Sequence, residues 1–392
     1  MIRRTSIRRA VWAATSSALV LVAAGCGLHD DEKPLNTLAP KGKQADEIYS
    51  LVTPVFLVAG VVFVLVMGAA FYLAIRYRRR KDDVDGVDEP IQRHGNTPLE
   101  WGWTILPALV LAVLAIGNVK TIWTLENDQR DAPMEVEVIG QQWWWEFRYD
   151  VDGDRKPDVI TANQLVIPAG TTVRLAIQSN DVIHSFWIPM LSGKKDAVPG
   201  RTHHWAITAA EPGIFQGQCT EFCGLSHAYM RMEVKALSQA DYDKWIEHQM
   251  AAPEEPSAGS EAEAGKQVFF TKCASCHQVN GYDDTGKKLD THQPNGDYRG
   301  AQHPLIAGNA PNLTHIMSRD KFARNMFQLY EDGAKLEGVL PEGDPNAGTL
   351  GSWLRNPPGM KPMNADANRG MPNLQLPEDE IRKLVAYLTL LK

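Results

Sequence analysis

Thirteen residues, Gln218 to Met230 (QCTEFCGLSHAYM), carry two thiols, an imidazole and a thioether: Cys219, Cys223, His227 and Met230. Soft sulfur ligands combined with imidazole suit copper, and a Cys–His–Met set is what electron-transfer copper sites use. Two thiolates four positions apart can each bridge a pair of copper ions. Each ion then needs one imidazole, and the loop supplies only one. The second is expected from a neighbouring strand, and the apolar run VIHSFWIP offers His184. Met230 is a weak ligand on one side, and the backbone carbonyl of Glu221, between the cysteines, can fill the opposite position. A Cys219–Cys223 disulfide is the plain alternative in an exported domain. Zinc is another, but zinc prefers Cys, His and carboxylate, and the Met argues against it.

A second constellation lies farther on. Cys273, Ala274, Ser275, Cys276 and His277 spell CASCH, the attachment signal for c-type haem. The two thiols add to the haem vinyl groups and hold the adjacent histidine under the iron. No second ligand pair stands at a spacing that would make this a zinc site. Met/His ligation raises a haem potential toward that of copper, so a methionine is expected as sixth ligand. Met360, Met363 and Met371 are the candidates.

DVIHSFWIP, KDAVPGR and GQCTEFCGLSHAYM resemble subunit II of the haem–copper cytochrome c oxidases, which carries the binuclear copper centre CuA. The resemblance runs from the first membrane segment to about residue 248 and is most specific in the copper loop. It implies a cupredoxin fold, with His184 on one strand and the Cys-containing loop joining the last two. It implies that Trp143 is where electrons enter from cytochrome c, although Trp143, Trp144 and Trp145 stand here where Trp-Tyr-Trp is common. It gives the Glu221 carboxylate a further reach, to a magnesium or manganese ion at the subunit I boundary. It places Glu100, in PLEWGW, at the mouth of a proton-uptake path in subunit I. The C-terminal part resembles a class I cytochrome c. There Gly265, Phe269 and Tyr387 match the positions where first and last helices cross, and the Pro311 carbonyl of APNL would hold the His277 ring. GMPNL ahead of the final helix favours Met371 as axial ligand, with Met363 second.

The elements that must position these groups can be read from composition and patterning. A chain of 392 residues is long enough for two or three domains, and a net charge of −7 gives no electrostatic footprint for nucleic acid. Residues 1–25 read as an export signal: Arg3, Arg4, Arg8 and Arg9, then the apolar run Ala10–Ala24. AAGC resembles a bacterial lipoprotein cleavage site with Cys26 as the lipidated residue, ordinary cleavage or a retained anchor being the alternatives. Residues 26–50 would be an exported segment. Leu51–Ile75 and Trp101–Val119 are long and apolar enough to span a bilayer, forming a transmembrane hairpin over 51–123. The basic run Arg76, Arg78, Arg79, Arg80 and Lys81 sets the connecting loop in the cytoplasm, leaving both ends of the chain outside.

From Met134 the pattern alternates, with short strands and turn signals that indicate a small β-sandwich over 130–250. His203 and His204 flank a strand and read as surface or core residues rather than ligands. Residues 251–263, AAPEEPSAGSEAE, lack an apolar face and read as a semi-flexible tether. A helical unit follows over 264–392, with a first helix at 262–272. A last helix after Pro377 carries Ile381, Leu384, Val385, Leu388 and Leu391 on one face. Gly281–Ala310 is polar and longer than such a unit needs, and no role is assigned to it.

The expected architecture is therefore a multidomain membrane protein: a two-helix transmembrane hairpin, an all-β cupredoxin sandwich and an all-α class I cytochrome c domain. Its expected activity is that of an oxidase subunit passing electrons from haem c to CuA and on to a catalytic subunit that reduces oxygen with proton translocation. The expected partners are subunits I and III, with cytochrome c or a cytochrome bc complex as donor. A quinol oxidase subunit II would lack both the copper ligands and CASCH. A nitrous oxide reductase would need a large repeat domain with a histidine-rich cluster. A lone membrane-tethered carrier or copper-delivery protein remains a non-catalytic alternative.

Overall fold

The computed structural model describes residues 33–79, 83–84, 94–283, 285–289, 310–323, 325–331, 339–363 and 369–392. Residues 1–32, which hold the expected export signal and Cys26, lie outside the described residues, as does most of 281–310. The chain divides into a unit over Asp46–Asn127 and a second comprising the residues up to Ala45 together with Asp128–Lys392.

The first unit is a pair of helices, α1 (Lys43–Arg76) and α2 (Thr97–Arg130), in which an 18-residue stretch reaches a mean hydropathy of 2.6 and 2.0 respectively. Phe56, Phe63, Val64, Leu109, Val113 and Ile116 point outward, as apolar side chains do when lipid is their solvent. Both helices outrun the apolar stretches 51–75 and 101–119 that announce them. Each has 34 residues, about 50 Å at ~1.5 Å per residue, against a hydrocarbon core of roughly 30 Å. Hydropathy marks only the part that lipid covers; the polar end turns continue the helix beyond it.

In the second unit, the β-domain has a five-stranded sheet ordered β3-β2-β1-β5-β8. Its strands are β1 (Met134–Gln141), β2 (Trp144–Tyr149), β3 (Val159–Ala162), β5 (Val173–Ser179) and β8 (His203–Ile207). A three-stranded sheet is ordered β4-β10-β9, from β4 (Gln164–Pro168), β9 (Gly213–Gln218) and β10 (Arg231–Leu237), and a short pair joins β6 (His184–Phe186) to β7 (Lys195–Ala197). Period-two alternation sends Val136, Val138, Trp145, Phe147 and Tyr149 into one core with Leu165, Ile167, Val234 and Met232 of the facing sheet. Trp143 and Trp145 belong to that core, while Trp144, on the opposite face of β2, is buried outside it. α3 (Gln239–Met250) closes the domain, its Trp245 ring set edge-on to Tyr149 at 5.3 Å.

Part of the expected exported segment 26–50 is tied to the β-domain. Lys41 N–H donates to the Met190 carbonyl at 2.7 Å and Ala45 N–H to Leu191 at 3.1 Å, so this stretch is an edge of the β-domain. It carries no alternation that would have announced it.

The C-terminal domain packs α4 (Glu261–Lys272) across α7 (Glu378–Leu388), with α5 (Ala347–Arg355) and the short α6 (Pro357–Met360) beside them. At the crossing a Cβ on Gly265 would sit 1.9 Å from the Lys383 carbonyl oxygen, so only glycine allows the helices to close. Phe269 and Tyr387 stack there at 5.6 Å. Of the apolar stripe on α7, Ile381, Leu384 and Leu388 are buried, as is Leu391 just beyond it. A small hairpin, β11 (Lys321–Phe322) with β12 (Phe327–Gln328), is too short to leave a pattern in the sequence.

The tether reading of 251–263 needs correction. Ser260 caps α4, its hydroxyl accepting from Glu263 N–H, so the helix takes over the end of that stretch. Glu255 is pinned by Lys266 at 2.7 Å, by Lys288 at 3.2 Å and by the Tyr282 hydroxyl. Composition reports a missing apolar face; it does not report ion pairs made with residues farther along the chain.

Candidate functional site

The β9–β10 connection delivers the first constellation. Cys219 N–H donates to the Met230 carbonyl at 2.9 Å and Thr220 N–H to Ser185 at 3.1 Å, which closes the loop at its base and ties it to β6. Cys219 and Cys223 are buried and not joined as a disulfide, with sulfurs 3.9 Å apart. Around Cys223 Sγ stand His227 Nδ1 at 3.4 Å and Met230 Sδ at 3.7 Å; the Glu221 carbonyl lies 3.3 Å from Cys219 Sγ. His184 arrives from β6, and its ligand atom lies within 4.8 Å of both sulfurs.

The His184 ring is held on three sides. Nε2 meets the Asp181 carboxylate at 2.8 Å, Trp145 packs at 5.9 Å, and Gly140 lies beneath, where an added Cβ would meet the ring at 2.8 Å. Its Nδ1 is buried with no hydrogen-bond partner. A buried ring nitrogen of this kind costs free energy unless something coordinates it. Burial by itself would lower the His184 pKa, but the Asp181 bond and the Cys219 sulfur outweigh it and raise the value. The Cys219 thiol falls to about 4, chiefly through its contact with Cys223 and helped by His184 against the cost of burial. Paired low-pKa thiolate, orphaned imidazole nitrogen and thioether form a donor set for a soft metal.

Trp143 reaches the same loop from the opposite side. Its Nε1 donates to the Cys223 carbonyl at 2.9 Å, and Gln142 Nε2 donates to the same oxygen at 2.7 Å. The indole is 1 % exposed. Phe222 and Leu225, in contrast, are open to solvent at the loop tip, and so is the Glu221 side chain. His203 and His204 lie away from this cluster, on Asp196 and Arg174 respectively, as expected.

In the C-terminal domain, Cys273 is buried at the end of α4, and burial pushes its thiol up to about 12. The turn that follows brings His277 N–H to the Cys273 carbonyl at 2.9 Å, and His277 Nδ1 faces the Pro311 carbonyl at 2.8 Å. That contact fixes the ring and leaves Nε2 as the free nitrogen. Trp353 Nε1 donates to Met371 Sδ at 3.0 Å, and Met371 packs against the domain core. Met363 lies against Gly370 instead.

Arg319 went unremarked in the sequence. Its guanidinium is buried, donates to the Asn312 carbonyl at 3.0 Å, and is lowered to about 10 by burial. Among the described residues no carboxylate meets it. A buried cation bonded to the residue that follows Pro311, with no carboxylate partner among the described residues, fits a prosthetic group that brings carboxylates, and nothing in its local sequence pattern signals this.

Glu100 sits in the first turn of α2, where its carboxylate accepts from Asn96 N–H at 3.1 Å and so caps its own helix.

Fold and site together define a membrane-anchored redox protein that joins a cupredoxin domain to a cytochrome c domain. The family described as "Cytochrome C oxidase subunit II, transmembrane domain" matches residues 39–124, its "periplasmic domain" matches 134–237, and "Cytochrome c" matches 262–392. Cytochrome c oxidase subunit 2 of Alkalihalophilus pseudofirmus is 34 % identical over 96 % of this chain and 95 % of its own length. That of Bacillus subtilis is 31 % identical over 88 % of each. A quinol oxidase subunit 2 of Bacillus cereus, 31 % identical, spans only 63 % of this chain and 84 % of its own length. The crystal structure of the periplasmic domain of subunit II of cytochrome oxidase of Bradyrhizobium japonicum, 28 % identical, covers 30 % of this chain and 94 % of its own, with a TM-score of 0.28. The chain belongs to the cytochrome c oxidase subunit II family, in the form with a fused C-terminal cytochrome c domain, and is a subunit of an oxidoreductase. The subunit II domain implies CuA copper and the cytochrome c domain implies haem.

Proposed function

We propose that this subunit takes electrons at a covalent haem c, passes them to CuA, and delivers them to the haem–copper subunit that reduces oxygen to water with proton translocation. The observation that carries the reading is the orphaned Nδ1 of His184 beside two unjoined buried sulfurs 3.9 Å apart. A shared two-copper centre supplies one-electron transfer with little change in bond length.

The chain's part is rigid ligation. Cys219 and Cys223 would bridge, His184 and His227 would each hold one metal through Nδ1, and Met230 and the Glu221 carbonyl would supply the weak positions. Asp181 keeps the His184 proton on Nε2 and so leaves Nδ1 free to coordinate. In the C-terminal domain Cys273 and Cys276 would attach the haem, His277 would ligate through Nε2 with its ring set by Pro311, and Met371 would be the sixth ligand. Arg319 would meet a haem carboxylate.

Trp143 fits an electron-entry role as an indole bonded to the peptide between the two ligand sets. The exposed Phe222, Leu225 and Ile183 fit a surface for subunit I, with the Glu221 carboxylate turned outward toward a magnesium or manganese ion at that boundary. Glu100 would stand at the proton-uptake mouth. Subunit III and a cytochrome c or cytochrome bc donor complete the assembly, and an export signal with lipidation at Cys26 completes the topology.

Metal analysis and paramagnetic resonance of the purified full chain test this reading. Two coppers sharing one unpaired electron and one covalent haem are expected. Cys219→Ser should abolish the copper signal and leave the haem spectrum intact. Zinc, a single copper, or a 219–223 disulfide in the purified protein would overturn it.

A further inference from the structure

The β-domain and the C-terminal domain meet along a seam that runs from the copper loop to the outer face of the β4-β10-β9 sheet. Gln249 Nε2 donates to Ser318 Oγ at 3.0 Å, Asn325 Nδ2 to the Asn163 carbonyl at 3.4 Å, and Ser226 Oγ to the Pro362 carbonyl at 2.5 Å. At its centre four charged side chains are packed together. Glu233 and Lys235 lie two apart on β10 and are 0 % and 4 % exposed. Asp320 and Lys321, at the entry to β11, come from the other domain, and Asp320 is 2 % exposed.

The contacts cross the seam reciprocally. Lys321 Nζ lies 3.2 Å from Glu233 Oε2 and 3.3 Å from Asp320 Oδ2. Gln164 Nε2 donates to both carboxylates, at 2.7 Å to Glu233 and 3.0 Å to Asp320, and Gln216 Nε2 donates to Glu233 at 2.9 Å. Lys235 Nζ crosses the other way to the Val339 carbonyl at 3.2 Å and feels both acids. Each domain contributes one acid and one base, so the buried cluster is neutral as a whole and each half is neutral alone.

We propose that this four-charge cluster is a latch that fixes the cytochrome domain in one register on the outer face of the β4-β10-β9 sheet, so that the haem domain is a docked rather than a swinging donor. The proposal rests on the reading of the two domains as haem and copper carriers only for its purpose; none of the four charged residues is a ligand in that reading. Buried ion pairs add little net stability compared with apolar packing, and their best-attested use is to specify register. Here a slipped register would leave a carboxylate or an ammonium buried without its counter-charge. Apolar contact alone would not discriminate in this way. A docked donor gives first-order electron delivery, with the encounter step removed.

The test is amine footprinting of the full-length holoprotein, using an acetylating N-hydroxysuccinimide ester read by mass spectrometry. In the parent, Lys235 should react far more slowly than Lys244, whose side chain is 66 % exposed. Lys321→Met leaves Asp320 and Glu233 with one base between them and should raise Lys235 modification by at least about tenfold relative to Lys244. Asp320→Asn combined with Lys321→Met restores neutrality and should return Lys235 to within about twofold of the parent. Lys235→Met and Glu233→Gln with Lys235→Met are the mirror set, read at Lys321, should Lys321→Met fail to fold. Unchanged reactivity in both single variants would overturn the proposal, and so would double variants that react as fast as the singles or fail to fold with them. Singles that misfold while the doubles fold would support it. Loss of copper binding would count against the oxidase reading and leave the footprint unchanged.

Discussion

The indole nitrogen of Trp143 donates to the carbonyl oxygen of Cys223 at 2.9 Å, tying a tryptophan of the sandwich core to the peptide of one of the two loop cysteines. Trp143, just ahead of β2, and Cys223, in the loop between β9 and β10, are thus one hydrogen bond apart, although 80 residues separate them in sequence. That bond is shared, because Gln142 donates to the same oxygen.

Trp143→Phe keeps a ring in the core and removes one of two donors. Since Gln142 still satisfies the carbonyl, the expected loss is about 1 kcal/mol in denaturant unfolding, with a measurable shift of the copper absorption bands. Trp143→Ala should cost about 3–5 kcal/mol by leaving a cavity. Equal losses for the two variants would show that the hydrogen bond, not the ring, carries the contribution.

Gly140→Ala places a Cβ 2.8 Å from the His184 ring, and the ring cannot retreat because Asp181 and Trp145 hold its other sides. Copper uptake should fall at least about tenfold, as expected when the shell around a ligand is disturbed, while the sandwich still folds. Titration with copper followed by circular dichroism reads both quantities on one sample. Wild-type affinity would mean that His184 is not a ligand.

Met371→Ala should convert a low-spin haem to high spin, read from the visible absorption of the oxidised protein, and Met363→Ala should not. The contact from Trp353 to Met371 sets up a second outcome: Trp353→Phe should leave the iron low-spin and shift its reduction potential. A high-spin Met363→Ala protein would move the axial ligand to Met363.

The Glu255 carboxyl is lowered from 4.5 to about 2, where the bonds from Lys266, Tyr282 and Lys288 outweigh the opposing effect of burial. A depressed folded pKa means that the stabilisation is complete above about 4.5 and is lost as pH falls through about 2. Thermal midpoints of the parent should therefore decline between these values more steeply than those of Glu255→Gln. Parallel curves would show that the pinned segment contributes nothing to stability.

Much of this protein was legible in its sequence because its chemistry is local. CASCH and the copper loop place their ligands within a few residues, and two apolar runs of bilayer length need no tertiary context. Period-two alternation announced the sandwich for the same reason. The helix ends beyond the lipid were not legible, since hydropathy falls silent where polar turns continue a helix. Neither was the anchoring of Glu255, whose partners Tyr282 and Lys288 lie well along the chain.

Sequence alone determined which atoms are available: two thiol pairs, the histidines and the methionines, and their assignment to separate domains. Tertiary structure decided which of them meet. His184 reaches Cys219 only because β6 packs beside the β9–β10 loop, and its free Nδ1 exists only because Asp181 takes Nε2. Arg319 stands as a buried cation with no carboxylate partner among the described residues, and Glu233, Lys235, Asp320 and Lys321 stand as one neutral cluster, solely because folding removes water from groups that look like ordinary surface charges in a linear text. The spacing of residues fixes local ligand sets, whereas desolvation and long-range pairing are properties of packed elements and are set only when the chain closes on itself.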